Sequence, residues 1–484
     1  MGKQTKYDLL IKGGHVVCPK NRFDGIMDVG IRSGQVVEVS CDLDPSVSSK
    51  TINCKGLLVM PGIVDSHAHL IRSKVCGTGF RMVVKAGVTT VIDFEGPVDA
   101  INREIAPHGY GLNVGVLEGI RPRYGFSGES APHQEVVQKI NNSMKMGALG
   151  VKLLGGHYPL SPETTGDVIE TAAQELAYVA FHAGTTDTGS NILGLEEAVI
   201  LSGGNPLHIA HINAYCRGQI DGPLRELARA MEILQKAEHI VSESHLAPFN
   251  GCNGYIGKDD VPESHVTRNC LRAMGYPVNR MGLKQAFKDG VAAVYAQVGD
   301  EMRLLYRQEA YDRWIKNETR VGVSFPVNLR VSALVCATEK VKGGNRFVVD
   351  AISSDGGAIP RNFILTHGMA LVKFGALSLP ELVLKACYSP AQMFGLTSKG
   401  HLSPGADADL ALVDFNTGAA LYTIISGKLV FAEGVLNNTP GCLLTTDRGA
   451  GYLKSQGIPY RIVDLKKSAF FRRAAHKKKL SNII

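Results

Sequence analysis

The sequence predicts an α/β protein: a (β/α)₈ barrel with a small β-sandwich domain formed from both ends of the chain. Two observations carry this prediction. Between residues 59 and 400, short apolar runs alternate with stretches of helical periodicity, which is typical of a parallel sheet with helical crossovers. Residues 1–58 and 401–445 instead contain short apolar runs bounded by turn residues, as in an antiparallel sheet. The length of 484 residues suits a barrel with an accessory domain.

The barrel strands are predicted from apolar runs of five or six residues. These runs are VTTVID from Val88, GVKLL from Gly150, AYVAFH from Ala177 and LHIAH from Leu207. Residues 135–146 and 223–237 lie between such runs and have the apolar spacing of amphipathic helices. We expect the strands of the two chain ends to pair with each other, so that the barrel is inserted within a split β domain.

Residues 446–484 are predicted to be a basic C-terminal tail. Residues 451–484 hold nine Lys or Arg and one Asp, a net charge of +8, which leaves −1 on residues 1–450. The rest of the chain is therefore not basic, and no nucleic-acid partner is expected. We predict that the tail is solvated or packs on another subunit, and that deleting residues 451–484 leaves the chemistry intact.

The composition is that of an ordinary globular protein, with 44% hydrophobic and 20% charged residues. The ten cysteines include no C-x-x-C pair, so they are interpreted as reduced thiols. No apolar run approaches the roughly 18 residues that a membrane-spanning helix needs. We therefore expect a cytoplasmic protein without a membrane partner.

Histidines follow one apolar strand at a spacing that suits a metal. The run GIVDSHAHL places His67 and His69 two residues apart. Residues i and i+2 of a strand point to the same face, so both imidazoles can bind one ion. Such a pair by itself is a weak signal.

The signal sharpens because three more polar residues close apolar strands. His182 ends YVAFH, His211 ends LHIAH, and Asp355 follows VVDAISS. The carboxyl ends of parallel strands meet at one mouth of a barrel, where barrel active sites form. A metal can satisfy several buried polar groups together.

Lys152 lies inside the apolar strand GVKLL, where its amine would be nearly desolvated. Desolvation lowers the pKa of a lysine, and the neutral amine can react with carbon dioxide to give a carbamate. The carbamate is an anion with two oxygens that can bridge two cations. The alternative is a lysine at a strand end whose stem is buried and whose amine reaches water.

Taken as an ordered set, these residues resemble the amidohydrolase superfamily, in its binuclear metal branch of dihydroorotases, hydantoinases and D-aminoacylases. The motifs are HAH at His67, VKLL around Lys152, VAFHAG at His182, HIAHIN at His211 and SSDGG at Asp355. The opening DLLIKGGHVV and the stretch from Ser389 to Asp414 also match, so the resemblance spans residues 7–435.

The resemblance implies a role for each residue. His67, His69 and Asp355 would hold a buried metal, and His182 and His211 a more exposed one. Carboxylated Lys152 and a hydroxide would bridge the two divalent ions. Asp355 would also carry the proton from the attacking hydroxide to the leaving nitrogen. Zinc is the leading metal, while manganese, cobalt and iron suit the same donors.

Candidate substrate contacts lie near these motifs. Hydantoinases place a carbonyl-binding tyrosine close to the position of Tyr158, which makes it a candidate oxyanion donor. Arg217 and Arg361 follow the sixth and eighth strand ends, where a substrate carboxylate could be held. His245 ends the seventh strand. For Arg217 and Arg361 a surface role is the alternative.

The resemblance implies hydrolysis of an amide C–N bond in a small molecule, either a cyclic amide or imide or an N-acyl amino acid. One alternative is a deaminase of a nitrogen heterocycle on the same fold, although the mononuclear deaminases do not need a lysine like Lys152. A second alternative is a non-catalytic scaffold, although no ligand is missing here. We expect the protein to be a homo-oligomer.

Overall fold

The computed structural model describes residues 5–73 and 75–481, with side chains described up to residue 476. Its central feature is a barrel of eight parallel strands. The short segment Gly356–Gly357, directly after the last strand, pairs with Ala68 and His69 of the first and closes the barrel. The strands are β1 (Ile63–His69), β2 (Val88–Asp93), β3 (Asn113–Pro122), β4 (Gly150–Leu154), β5 (Tyr178–His182), β6 (Leu207–Ile209), β7 (Ile240–His245) and β8 (Ala351–Ser353).

Eight helices surround the strands and bury their apolar faces against them. In the sixth helix the buried residues Leu227, Ala230, Met231 and Leu234 recur at helical spacing. The two helices predicted from periodicity, at 135–146 and 223–237, are confirmed within two residues. The helices are α1 (Thr78–Lys85), α2 (Val98–His108), α3 (His133–Lys145), α4 (Pro162–Gln174), α5 (Ile192–Ser202), α6 (Pro223–Lys236), α7 (Arg330–Thr338) and α8 (Ile364–Lys373).

The two ends of the chain form one sheet of nine strands beside the barrel. Leu57–Pro61 pairs antiparallel with Leu410–Asp414, which joins the two ends directly. The remaining strands are Leu9–Cys18, Phe23–Arg32, Gln35–Ser40, Thr51–Asn53, Ala420–Ile425, Lys428–Ala432 and Val435–Leu436.

An insertion between β7 and α7 was not foreseen, because its apolar runs resemble further barrel elements. We call residues 250–327 the insertion subdomain. It has a sheet of four strands and its own apolar core, with Trp314 fully buried. Its strands are Cys252–Asn253, Ala293–Val298, Glu301–Tyr306 and Gly322–Ser324, and its helices are His265–Ala273, Arg280–Lys288 and Arg307–Lys316.

The described part of the predicted basic tail is folded against the barrel, so it is not the solvated tail that was one of the expectations. Phe470 is fully buried and stacks on Tyr178 at the start of β5, with 4.0 Å between ring centroids. Arg473 pairs with Asp350, 2.5 Å from Nη2 to Oδ1. The net charge of this segment did not indicate the buried apolar residues that hold it against the barrel. The strand Cys442–Thr445 lies just before this segment and pairs with β3 of the barrel, although it was predicted to belong to the small β domain. The elements of the segment itself are Asp447–Ser455, Tyr460–Ile462 and Ala469–Ser481.

The described residues form four 3-10 helices, Pro19–Asn21, Pro45–Val47, Ile212–Tyr215 and Leu465–Lys467, and the chain has further short elements. These are the strand Gly125–Phe126, the α-helices Leu379–Val383 and Ser389–Met393, and the π-helix Leu384–Tyr388 that joins them. Among the described residues, no helix is both long and apolar enough to cross a membrane.

Candidate metal centre

The predicted ligands converge at the carboxyl ends of the barrel strands. His67 and His69 end β1, Lys152 lies in β4, His182 ends β5, His211 follows β6 by two residues, and Asp355 follows β8 by two. All of them line one cavity of about 1290 Å³ at this mouth of the barrel.

His67, His69 and Asp355 form a compact donor set. The Asp355 Oδ1 atom lies 3.3 Å from His67 Nε2 and 3.1 Å from His69 Nε2. One donor atom from each of the three residues lies within 4.8 Å of the other two, so this cluster could hold a metal ion. Burial lowers the pKa of both imidazoles, so each is in the neutral form that binds metals.

His182, His211 and Lys152 adjoin this cluster. The rings of His182 and His211 have centroids 4.3 Å apart, and His211 is 5.4 Å from His67. Among the described residues, Lys152 Nζ and His211 Nδ1 are buried without a hydrogen-bond partner. Orphaned polar atoms of this kind are rare in folded proteins, and they fit a site that receives metal ions.

Lys152 is a buried amine whose charged form is disfavoured. Its Nζ lies 4.6 Å from the centroid of the Phe94 ring, and the residue is only 1% exposed. Burial lowers the pKa of Lys152 to about 7, against the raising effect of Glu243 and Asp355. The predicted desolvation is therefore present, and the amine is available in its neutral form near pH 7.

Two of the predicted ligands have unusual backbone conformations. His211 has φ of 36° and Asp355 has φ of 50°, in the left-handed region that side chains rarely adopt. Such conformations cost about 1–3 kcal/mol and cluster at functional sites. Gly156 supports the same site by its size, since an added Cβ would lie 1.8 Å from His182 Nε2.

Glu243, in β7, is a functional candidate that the sequence reasoning missed. Its Oε1 accepts hydrogen bonds from His67 Nδ1 at 2.7 Å and from the His211 backbone N–H at 2.8 Å, while Ser353 donates its hydroxyl to Oε2. One fully buried carboxylate thus links β7 to residues at the ends of three other strands. It also fixes the His67 tautomer, so that Nε2 faces Asp355. No motif marked it, because its partners are distant in sequence.

Asp355 divides its two oxygens between two environments. Oδ1 faces the imidazoles of His67 and His69, whereas Oδ2 lies 2.6 Å from Arg361 Nη2 and 3.8 Å from His245 Nε2. Burial alone would raise the pKa of Asp355, but Arg361 and the imidazoles outweigh it and hold the pKa well below its usual range. Asp355 is therefore ionised at neutral pH.

Arg361 and His245 lie beside Asp355 rather than free in the cavity. Arg361 also donates from Nε to the Asp355 carbonyl and from Nη1 to the Phe249 carbonyl at 3.2 Å, so each of its three nitrogens has a protein acceptor. This geometry does not favour Arg361 as a substrate anchor. The pairing of Arg361 could not be predicted, because a guanidinium six residues after Asp355 can reach either that carboxylate or a substrate in the cavity.

Tyr158 lines the rim of the cavity and is 44% exposed. The Arg121 guanidinium lies over its ring at 5.1 Å. The neighbouring His157 faces the metal centre more directly, with its ring 5.5 Å from that of His182. Burial lowers the pKa of His157 to about 3, so it is a neutral imidazole. His157 was not singled out from the sequence.

Known proteins similar to this chain are hydrolases. The model of the amidohydrolase family matches residues 332–430. A dihydroorotase from Acetivibrio thermocellus is 23% identical, over 88% of this chain and 100% of its own length. An allantoinase from Escherichia coli is 22% identical, over 94% of this chain and 97% of its own length.

Solved structures share the fold. An N-acyl-D-glutamate deacylase from Bordetella bronchiseptica, solved with zinc and a phosphonate inhibitor, superposes with a TM-score of 0.66. It is 16% identical, over 90% of this chain and 99% of that one. A D-hydantoinase superposes with a TM-score of 0.58 and is 16% identical, over 91% of this chain and 99% of that one.

Fold and site together define a barrel hydrolase with a metal centre at the carboxyl ends of its strands. The chain is similar to the amidohydrolase family over residues 332–430 and to dihydroorotases and allantoinases over most of its length, and it shares its fold with hydantoinases and D-aminoacylases. The predictions of family, fold class and enzyme class, a hydrolase of carbon–nitrogen bonds other than peptide bonds, are therefore confirmed.

Proposed function

We propose that the protein hydrolyses an amide C–N bond of a small molecule, in a cyclic amide or imide or in an N-acyl amino acid. The observation that carries the proposal is the convergence of His67, His69 and Asp355 beside His182, His211 and an unpartnered buried Lys152. Two divalent ions would be held there, zinc being the leading choice and manganese, cobalt and iron suiting the same donors.

The donor set matches two ions better than one. His67, His69 and Asp355 would hold the inner ion, and His182 and His211 the outer one. Lys152, as a carbamate, would contribute an oxygen to each. When bound, two dications with only two anionic ligands supply positive charge that activates water and polarises the substrate carbonyl.

The protein's own residues would then handle the proton and the carbonyl oxygen. Asp355, ionised and held by Arg361, accepts the proton of the attacking water and delivers it to the leaving nitrogen. Tyr158 was predicted to donate a hydrogen bond to the carbonyl oxygen. Because the His157 ring lies 5.5 Å from that of His182, we propose it as a second candidate donor for that oxygen. His245 would position Asp355 rather than touch substrate.

The test combines metal analysis with a hydrolysis screen. Carefully purified protein should contain close to two divalent ions per chain under metal-replete conditions, and one ion only would contradict the binuclear site. Metal-loaded protein should open hydantoins or imides, or cleave N-acyl amino acids. Release of ammonia from a heterocycle, without cleavage of any of these amides, would instead identify a deaminase.

Lys152→Ala gives a sharper control for the bridge. The variant should lose most of the outer ion and most of the activity, because the bridging oxygens disappear. Added formate or acetate should restore part of both, since a free carboxylate can occupy the vacated position. Full metal content in Lys152→Ala without any additive would remove Lys152 from the ligand set.

A further inference from the structure

The His182 imidazole, at the end of β5, is enclosed by protein on one side. Its Nε2 lies 2.8 Å from the Ser190 Oγ, and Ser190 lines the same cavity as the predicted metal ligands. The Gly156 backbone is also so close to Nε2 that an added Cβ there would lie 1.8 Å away. Among the described residues, the other ring nitrogen, Nδ1, has no hydrogen-bond partner. Nδ1 is therefore the nitrogen of His182 that remains available to an ion.

Two further polar side chains near His182 are engaged elsewhere. Arg217, a predicted substrate contact, lines the cavity and donates from Nε and Nη2 to the Asn328 Oδ1, at 3.1 and 2.6 Å. The Tyr215 ring lies 6.2 Å from that of His182, and its hydroxyl oxygen accepts a hydrogen bond from a backbone N–H at 2.8 Å. In the part of the chain that the structure describes, Ser190 alone holds the His182 side chain by a hydrogen bond.

The loop between β5 and α5 holds Ser190 in a fixed place. The Glu197 carboxylate, in α5, accepts hydrogen bonds from the hydroxyls of Thr185 and Thr188, at 2.8 and 2.6 Å. Asn191, the residue after Ser190, caps the amino end of α5 with its side chain. The backbone on both sides of Ser190 is thus anchored, so little conformational entropy is lost when its hydroxyl meets the imidazole.

The orientation of His182 is the reverse of that of His67. His67 is held at Nδ1 by the Glu243 carboxylate, 2.7 Å away, which leaves Nε2 to face Asp355. An imidazole that binds a metal is neutral and has one ring proton, so the nitrogen that does not bind the ion carries it. The hydrogen-bond partner of that second nitrogen determines which tautomer is present.

We propose that Ser190 is a positioning residue that accepts the Nε2–H of His182 and so leaves the lone pair of Nδ1 for the outer of the two proposed ions. This inference rests on the metal centre of the proposed function. The hydroxyl selects the tautomer of a predicted ligand without binding the ion or touching the reacting bond. Loss of such a partner typically costs about 10–100-fold in metal affinity.

The test measures zinc binding to the full chain by competition with a chromophoric chelator, which separates the affinities of the two ions. Ser190→Ala should weaken one ion by about 10–100-fold and leave the other within about threefold of the wild type. Ser190→Thr keeps the hydroxyl and should restore most of the lost affinity. The matched control is Ser73→Ala, since Ser73 lines the same cavity but donates to the Gln297 Oε1 at 2.8 Å, and it should change neither affinity.

A second measurement locates the proton of His182 directly. In zinc-loaded protein with isotope-labelled histidine, nitrogen NMR should show the proton on Nε2 and the ion on Nδ1, and the signals that disappear in His182→Asn identify this ring. In Ser190→Ala the Nε2–H should exchange with water faster, because its acceptor is gone. A serine that only packs the loop would leave this exchange unchanged.

Three results would overturn the inference: a proton on Nδ1 of His182 in the wild type, full affinity for both ions in Ser190→Ala, or an equal loss of both ions in that variant. Failure of the proposed function is distinguishable. It is the absence of amide hydrolysis by zinc-loaded protein, or a wild type that binds one ion only. The position of the His182 proton reports on Ser190 in either case.

Discussion

Two buried lysines lie at opposite ends of the barrel and contrast sharply. Burial lowers the pKa of both Lys152 and Lys385 to about 7. At the amino end of β8, Lys385 donates to the carbonyls of Val349 at 2.6 Å and Cys336 at 3.3 Å. At the carboxyl end, Lys152 has no hydrogen-bond partner among the described residues. The two lysines are equally buried, but Lys385 has its hydrogen bonds satisfied by the fold, whereas Lys152 is left available to react.

The same contrast holds for the carboxylates that flank β8. Asp350, before the strand, accepts a backbone hydrogen bond from Ser242 and pairs with Arg473 of the C-terminal helix. Asp355, after the strand, turns one oxygen to two imidazoles. The amino end of the barrel is stabilised by satisfied polar groups, whereas the carboxyl end retains polar groups for a ligand.

The largest effect should come from exchanging these two carboxylates for amides. Asp355→Asn keeps an oxygen that can coordinate but loses the base, so turnover should fall by about 10²–10⁴-fold while much of the metal stays bound. Asp350→Asn should instead lower the free energy of unfolding by about 1–3 kcal/mol and leave kcat/KM within about twofold. Steady-state kinetics, metal analysis and urea unfolding measure the three quantities.

An Asp355→Asn variant that keeps both metals and turns over near the wild-type rate would rule out the proton transfer assigned to Asp355. A loss of activity in Asp350→Asn as large as that in Asp355→Asn would break the contrast between the two ends.

The next effect concerns the packing of the C-terminal helix. Phe470→Ala should lower the free energy of unfolding by about 3–5 kcal/mol, because a fully buried ring is lost from a stack with Tyr178. Metal content at saturating metal should not change. Phe374→Ala, at a position 86% exposed, is the matched control and should change stability by less than about 0.5 kcal/mol.

Deletion of residues 451–484 should also lower the free energy of unfolding, and by more than Phe470→Ala does. The segment was expected to be dispensable for the chemistry, but its helix carries Arg473 as well as Phe470, so the chain should need it for stability. A truncated protein as stable as the full chain would show that the contacts of Phe470 and Arg473 do not stabilise the fold.

The smallest effect should come from the lysines themselves, in metal-free protein. Lys385→Met loses two hydrogen bonds to buried carbonyls and should lower the free energy of unfolding by about 1–3 kcal/mol. Lys152→Met loses none and places an apolar chain beside Phe94, so metal-free stability should be unchanged or higher. Equal losses in urea unfolding would show that Lys152 has a stabilising partner.

The sequence was informative where local geometry decides the outcome. Strand periodicity placed His67 and His69 on one face, and apolar runs located the strand ends of His182 and His211 before any coordinates. Lys152 was conspicuous because a lysine within five apolar residues is desolvated in any parallel sheet. These inferences needed only the two-residue periodicity of a strand and the rule that barrel active sites form at the carboxyl ends of the strands.

What remained hidden depends on contacts between distant segments. Glu243 became meaningful only when His67, His211 and Ser353 were brought to it from other strands. The pairing of Arg361 with Asp355 was hidden for a different reason, because a side chain six residues away can reach either that carboxylate or the cavity. The insertion subdomain escaped because its strands have apolar runs no different from those of the barrel.

The pairing of Leu57–Pro61 with Leu410–Asp414 has a consequence for synthesis of the chain. A ribosome adds about 5–20 residues per second, so the early strand waits on the order of tens of seconds for its partner. During that time the Leu58, Val59 and Met60 side chains, fully buried at the end, have no complete sheet to cover them. The nascent polypeptide therefore exposes an unpaired strand edge until Leu410–Asp414 has been synthesised, and exposed edges of this kind are prone to aggregation.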